Sequence, residues 1–283
     1  MRCREKEKLR GMLKKILRTT LEHFPAAAQY LRHSRDLLDQ SAPSKMTPWG
    51  FTLAGHETMA AGTFEPEETK IVRKLLEEVD VLVNIGANVG YYCCHALSLG
   101  KSVIAVEPIA HNLHYLLTNI QNNGWSNHAE VFPVATGANA DILQMWGGGT
   151  GVSLVKGWAN IPDSYVTQVP ILSLDRVLGN AIKGKKALIL VDIEGAEFMM
   201  LQGAKEALQN APRPIWLMEI TSTENQPSGI AMNPNFEKTF EVFFNHGYSA
   251  HTANKEAHTI EKFDVNDVVM NRKRLTRHNF VFR

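Results

Sequence analysis

Two groups of residues in this chain have the types and spacing to do chemistry. The first is Gly86-Ala87-Asn88-Val89-Gly90, reached from the apolar run Val81-Leu82-Val83-Asn84-Ile85 and followed, 21 residues after Gly86, by Glu107 at the end of a second apolar run. A short apolar strand entering a glycine turn and then a helix brings backbone close to a ligand where Cβ atoms would stand in the way. An acid at the tip of the next strand is placed to accept hydrogen bonds from both hydroxyls of a ribose. The pattern points to a nucleoside-bearing cofactor, against the alternative of a glycine turn with a purely structural purpose. A dinucleotide fold asks for G-x-G-x-x-G, but Asn88 and Tyr91 hold the second and third glycine places. A Walker loop asks for Gly-Lys-Ser/Thr, which Val89-Gly90-Tyr91 does not supply. Phosphate is therefore not the expected guest. S-adenosylmethionine, which has a ribose and an amino-acid tail but no phosphate, suits the spacing, with Asn84, Gly86, Ala87, Asn88, Gly90, Glu107 and Pro108 as the cofactor-binding candidates.

The second group is Asp192-Ile193-Glu194-Gly195-Ala196-Glu197, which follows the apolar run 189–191, with Glu219 closing the later run 214–219. Carboxylates at the carboxyl edge of a sheet would face the reactive end of such a cofactor. Their chemical use in methyl transfer is direct: the sulfonium donor is cationic, and an acceptor hydroxyl must lose its proton as the new bond forms. Asp192 and Glu194 are the catalytic candidates. Glu197, in the first turn of the next helix, suits a structural role beside the helix dipole. If Asp192, Glu194 and Glu219 converged, an oxygen-only divalent-cation site would be possible, but an acid-lined acceptor pocket accounts for the same residues and no metal is expected. His111 and His114 have no cysteine or carboxylate at zinc-ligand spacing. No Gly-x-Ser-x-Gly signature calls for a covalent intermediate.

The elements that must position these residues alternate. Strands are expected near 80–85, 102–107, 129–134, 187–192, 214–220, 247–252 and 278–283, and helices near 89–99, 110–123, 196–210 and 234–246. This predicts an α/β fold: a Rossmann-like, doubly wound, mostly parallel seven-stranded sheet with the ligand at the strands' carboxyl ends. Residues 135–178 interrupt the alternation. Their Trp146-Gly147-Gly148-Gly149-Thr150-Gly151 stretch reads as too flexible for a regular element, and the insertion should hang over the ligand side as an acceptor lid or as a plain hairpin connection. Three parts follow: a basic helical extension over 1–40, a turn-rich lead-in hairpin and helix over 41–78, and the cofactor-binding domain over 79–283.

Composition sets the bounds. The 283 residues are 44% hydrophobic and 21% charged with a net charge of +1, enough to bury one large core. No stretch is apolar enough for a membrane span or a signal peptide, and the adjacent Cys93 and Cys94 form neither a disulfide framework nor a metal motif, so a cytoplasmic protein is expected. Residues 1–18 carry +6, and the rest carries −5. Apolar residues Leu9, Met12, Leu13, Ile16, Leu17, Leu21 and Phe24 recur at helical spacing in this N-terminal segment. The helix either docks on the body with its lysines in water or makes peripheral contact with an anionic membrane surface; nucleic acid is not expected as a partner.

These motifs resemble the FkbM-type methyltransferases that depend on S-adenosylmethionine. The likeness rests on Gly62-Thr63-Phe64-Glu65-Pro66-Glu67, Asn84-Ile85-Gly86-Ala87-Asn88-Val89-Gly90-Tyr91, Val106-Glu107-Pro108, Leu116 with Asn119, Leu174-Asp175 and Asp192-Ile193-Glu194-Gly195-Ala196-Glu197. The resemblance implies a class I methyltransferase fold and O-methylation of a sugar, glycan or related small-molecule acceptor, with Gly86, Ala87, Asn88 and Gly90 cradling the cofactor, Glu107 on the ribose, and Asp192 with Glu194 at the reactive centre. Many members of that group have aspartate where this chain has Asn84 and lysine where it has Leu190. A catalytically degenerate binding protein is the alternative those two departures raise, with an NAD-dependent oxidoreductase behind it.

Overall fold

The computed structural model describes residues 42–275 and 277–283; the expected basic helical extension over 1–40 lies outside them. In chain order the elements are β1 (Lys45–Met46), β2 (Thr52–Leu53), α1 (Glu57–Ala60), α2 (Pro66–Glu77), β3 (Val81–Ile85), α3 (Tyr91–Ser98), β4 (Ser102–Val106), α4 (Ala110–Asn122) and β5 (Ala129–Phe132). An insertion holds β6 (Ala135–Thr136), β7 (Asp141–Gly148), β8 (Gly151–Ser153) and β9 (Val166–Leu172). The chain continues through α5 (Leu174–Leu178), β10 (Ala187–Val191), α6 (Glu197–Leu201), α7 (Lys205–Leu208), β11 (Ile215–Glu219), α8 (Phe236–Asn245), β12 (Ala250–Thr252), β13 (Thr259–Ile260), α9 (Lys262–Val269) and β14 (Asn279–Phe282).

The main sheet runs β13-β12-β14-β11-β10-β3-β4-β5. Its five strands from β11 to β5 are parallel, while β14 is antiparallel to β11 and to β12. The strand count therefore corrects the expected seven to eight. The addition is β13, a two-residue edge strand on β12, too short to leave an alternating pattern in the sequence. Strand order reverses between β3 and β10, since β4 and β5 lie on one side of β3 and β10 and β11 on the other. That switch point is where an open α/β sheet binds its ligand.

Period-two patterning divides the core. Val81, Val83 and Ile85 face one apolar layer together with Ile189, Met218, Phe240 and Phe282. Leu82, Leu190 and Leu217 face the other with residues of α2, α3 and α4. Asn84 stands on this second face, among apolar neighbours and 1% exposed. The lead-in is tied to the glycine turn through α4: Asn119 accepts from the Ala54 N–H at 2.8 Å and donates to the carbonyls of Ala54 at 3.1 Å and Val89 at 2.8 Å.

Two expectations need correcting. The helix over 196–210 is broken into α6 and α7 at Gly203, where a Cβ would meet the Gly137 carbonyl oxygen at 2.2 Å. The Asp175 carboxylate then starts α7 by accepting from the N–H groups of Glu206 and Ala207, each at 3.0 Å. The glycine-rich insertion is not irregular either. Gly147 and Gly148 lie in β7 and Gly151 in β8, within a four-stranded sheet ordered β6-β9-β7-β8. At Gly147 a Cβ would come within 2.2 Å of the Gly151 carbonyl and at Gly148 within 1.7 Å of the Tyr165 hydroxyl. Here glycine serves close packing of a hairpin, not looseness. Among the described residues no helix is long and apolar enough to cross a membrane.

Gly86 has φ +82° and leaves no room for a side chain, since a Cβ would sit 1.9 Å from the Asp192 carbonyl oxygen. Gly86→Ala should cost at least about 2 kcal/mol in chemical denaturation, the sum of left-handed strain and a backbone clash. Gly149→Ala is the control, because it shares the positive φ but has nothing within 4 Å; its cost should stay near about 1 kcal/mol. Equal losses in the two variants would mean that the crossing at Asp192 is not tight.

Candidate functional site

At the switch point lies a cavity of about 280 Å³ lined by the carboxyl ends of β3, β4, β10 and β11, the start of α4, the lead-in and the insertion. Of the residues expected from the sequence, Asn84, Gly86, Ala87, Asn88, Glu107, Pro108, Asp192 and Glu194 all line it. Gly90 does not; a Cβ there would meet Leu116 Cδ1 at 2.5 Å, so this glycine serves contact between the turn and α4. Gly86 likewise gives way to chain, at Asp192, and the tightness of the turn is in both places a matter of protein against protein.

One end of the cavity is organised by Glu107, which is 4% exposed. Its Oε2 accepts from the Asn88 N–H at 2.8 Å, and its Oε1 accepts from the Ile109 N–H at 2.8 Å and from Asn112 Nδ2 at 3.3 Å. Burial lifts its carboxyl to about 7 even though these donors favour the charged form. The glycine turn and the start of α4 are thus clamped by the acid that the sequence assigns to a ribose. Asn112 also donates to the Gly149 carbonyl at 2.9 Å, fastening the β7–β8 hairpin over this end. Ile109, Val134, Ala135, Met145, Val152 and Leu154 supply an apolar slot. Two buried polar atoms there, Asn112 Oδ1 and Thr136 Oγ1, have no partner among the described residues. Such atoms are costly unless a ligand satisfies them.

The other end is acidic. Asp192, Glu194, Glu219 and Glu65 line it, and Glu68 stands close behind, accepting from Asn279 Nδ2 at 2.6 Å. Asp192 lies deep in the molecule yet is open to the cavity, and its carboxyl is pushed well above the usual range by burial and by the charges of Glu219, Glu194 and Glu65. Glu219 and Glu68 are each lifted to about 8, first by burial and then by neighbouring carboxylates. Glu194 is raised by burial and steadied by Trp158 Nε1, which donates to its Oε2 at 2.7 Å. The carboxylates of Asp192 and Glu219 accept no hydrogen bond from the described residues. Glu197 does not line the cavity; it turns back to accept from the Gly195 N–H at 2.9 Å. Among the described residues no three of these groups are arranged to hold a metal ion.

Two of the acids sit on strained backbone. Glu65 has φ +38° immediately before Pro66, where steric repulsion drives most residues to extended conformations, and Glu194 has φ +53°. Strain of about 1–3 kcal/mol at such a residue persists only where the surroundings enforce it, and it clusters at functional sites. The enforcing contacts are Tyr92 Oη donating to Glu65 Oε2 at 3.1 Å and, for Glu194, Trp158 together with Ser153 Oγ on its carbonyl.

Sequence reasoning missed Glu65, Tyr92, Asn112, Thr136 and Trp158 as cavity or support residues. Only Glu65 carried a signal, as an acid inside a recognisable Gly-x-x-Glu-Pro block; the others owe their place to long-range packing. The Asn84 and Leu190 departures also read differently in three dimensions, because the two are direct partners across β3 and β10. Asn84 donates from Nδ2 to Cys93 Sγ at 3.4 Å, and its Oδ1 has no partner among the described residues.

Residues 84–250, more than half of the chain, match the family described as the methyltransferase FkbM domain. No curated protein matches the chain in sequence. Among solved structures, the methyltransferase FkbM from Methylobacillus flagellatus KT is 17% identical with a TM-score of 0.42; the match covers 72% of this chain, which spans only 43% of that one. A putative O-methyltransferase from Klebsiella pneumoniae is 11% identical over 81% of this chain and 82% of its own, with a TM-score of 0.43. The Bacillus cereus O-methyltransferase in complex with SAH is 12% identical over 80% and 83%, with a TM-score of 0.45.

The acidic end makes a prediction about stability. Glu219 titrates near 8 in the fold against an ordinary 4.5. The folded protein therefore keeps a proton that the unfolded chain gives up. That contribution is full below the ordinary value and is lost as the pH rises through about 8. Glu219→Gln, fixed in the neutral form, should melt a few degrees above the unmutated protein at about pH 9 and level with it at about pH 5. A variant that is less stable at alkaline pH would contradict the crowding of carboxylates.

Proposed function

Because the chain belongs to the FkbM methyltransferase family, we propose that it transfers a methyl group from S-adenosylmethionine to a hydroxyl of a sugar, glycan or related small-molecule acceptor. The observation that carries this reading is a single cavity at the switch point with a clamped ribose-type acid, Glu107, at one end and the unpartnered carboxylate of Asp192 at the other. The family assignment sets aside the dinucleotide oxidoreductase.

The residues fit this cofactor. Glu107 has lone pairs left for ribose hydroxyls beside the loop amides it already binds, the slot around Ile109 and Val134 suits an adenine ring, and Asn112 Oδ1 and Thr136 Oγ1 are free to meet its polar edge. Gly86, Ala87 and Asn88 line the wall along which the amino-acid tail would run, and the acids beyond them favour a positive charge. When bound, the cofactor supplies an activated methyl group on a sulfonium. Everything else is positioning and proton handling by the chain. Asp192 or Glu194 would take the acceptor hydroxyl's proton. Trp158 holds Glu194 by its Oε2, leaving the other carboxylate oxygen for the acceptor.

Saturating S-adenosylmethionine or S-adenosylhomocysteine should raise the melting temperature, by a stabilisation of about 2.7 kcal/mol at one hundred times Kd, while NAD should leave it unchanged. A shift with NAD alone would overturn the cofactor assignment. Asp192→Asn or Glu194→Gln should lower turnover by about 10²- to 10⁴-fold with cofactor affinity nearly kept. Full activity in both would remove them from proton transfer.

A further inference from the structure

The cavity has an electrostatic feature that a neutral acceptor leaves unused. Glu65, Asp192, Glu194 and Glu219 line its acceptor end, Glu107 lines the other, and among the described residues no Lys, Arg or His lines it anywhere. Glu68 adds a further carboxylate behind Glu65. The cofactor carries a sulfonium, an ammonium and a carboxylate, so its net charge of +1 offsets only one of these acids. A second, independent feature lies on the same face of the sheet. Asn84, 1% exposed, is among the residues lining the cavity, and its amide oxygen has no partner among the described residues. A buried carbonyl in that state calls for an N–H or O–H from a ligand.

We propose that the acceptor is an amine-bearing alcohol, such as an amino sugar, whose ammonium group seats between Glu65 and Glu219. This rests on the methyltransferase reading above and names its substrate class. Three lines favour an ammonium over other cations. Its N–H donors match the acceptors in the lining, the carboxylates of Glu219 and Glu65, with Asn84 in the same wall. The carboxylates are distributed around the wall and do not converge as ligands of one ion. Burial and then their mutual repulsion raise their proton affinity, and a fixed positive charge beside them is favourable. The same contact directs the chemistry. An amine held protonated by two carboxylates has no lone pair, so it cannot take the methyl group. The neighbouring hydroxyl becomes the nucleophile: its oxygen bonds to the methyl carbon as the carbon–sulfur bond breaks, and its proton passes to Asp192 or Glu194.

The test is calorimetric binding to the full chain saturated with S-adenosylhomocysteine, using sugars that carry a free amine at carbon 2, 3, 4 or 6, each beside its N-acetyl derivative and its parent hydroxyl sugar. The expected result is at least one amino sugar that binds about 10-fold or more tightly than both neutral counterparts. That preference should fall towards parity in Glu219→Gln and in Glu65→Gln, with S-adenosylhomocysteine still bound. Equal binding of amine and neutral members, or no binding by any amine, overturns the inference. Neutral sugars that bind only when magnesium or manganese is added overturn it as well, because the acids would then serve a metal. Failure of S-adenosylhomocysteine itself to bind would instead strike the methyltransferase reading, so the two failures are told apart.

Discussion

The passage of the chain at Gly86 against Asp192 holds the site together. Two backbone segments cross there with no side chain between them: the Asp192 N–H donates to the Ile85 carbonyl at 3.1 Å, while the Asp192 carbonyl occupies the space where a Gly86 Cβ would be. On the other side, the N–H groups of Gly86 and Ala87 both donate to the Val106 carbonyl at 3.0 Å. The turn is therefore bonded to the strands on both flanks. This fixes the Asn88 N–H opposite Glu107 and delivers Asp192 to the cavity in one construction. Cofactor end and acceptor end are thus not separate modules. A displacement at one must be felt at the other, because interiors packed at near-crystalline density transmit strain instead of absorbing it.

What that crossing supports is electrostatically unfavourable taken alone. Five acids, Glu65, Glu68, Asp192, Glu194 and Glu219, act on one another's ionisation, and two sit on left-handed backbone. A folded state tolerates this only if apolar burial elsewhere exceeds it. The two layers on either face of the sheet provide that burial, from Trp216, Phe240, Phe243 and Phe282 on one side to Phe51, Leu76, Tyr91 and Leu116 on the other. Stability built into the layers is what allows a poorly compensated cluster of charge to persist at the strand ends, where loops from four strands meet.

The sequence disclosed the parts of this that are local. Strand positions followed from runs of β-branched and apolar residues, and all seven expected strands stand in the main sheet, because strands buried on both faces, such as β3 and β10, read as continuous apolar runs. The edge strand at Thr259–Ile260 was too short to register. Gly203 looked compatible with a continuous helix because its conflict is with Gly137, far away in sequence. The glycines of the insertion looked like flexibility because the Tyr165 hydroxyl and the opposing backbone that crowd them belong to a different strand and turn. Glu65 carries the same lesson. An acid before proline should be extended, and its left-handed conformation is imposed by tertiary contacts such as that from Tyr92. Residue types announced the chemistry, whereas the supports of that chemistry are long-range and had no pattern to announce them.

The two positions at which this chain departs from the FkbM-type pattern bear on activity most when taken together. An aspartate at 84 and a lysine at 190 would be direct partners on adjacent strands, both in a wall where Asn84 and Leu190 are 1% and 3% exposed. Such a buried pair costs much desolvation, and neutral residues of similar size often replace it without loss of stability, while losing one member alone is severe. This chain has lost both, so no orphaned charge remains. The exchange leaves the net charge of the wall unchanged and keeps a hydrogen-bond acceptor in Asn84 Oδ1, now free of the lysine. Among the described residues it also leaves no cation beside Asp192, whose carboxyl is pushed up by burial and by the charges of Glu219, Glu194 and Glu65. The two departures thus meet at one place in the cavity wall and leave no unpaired charge of that pair behind.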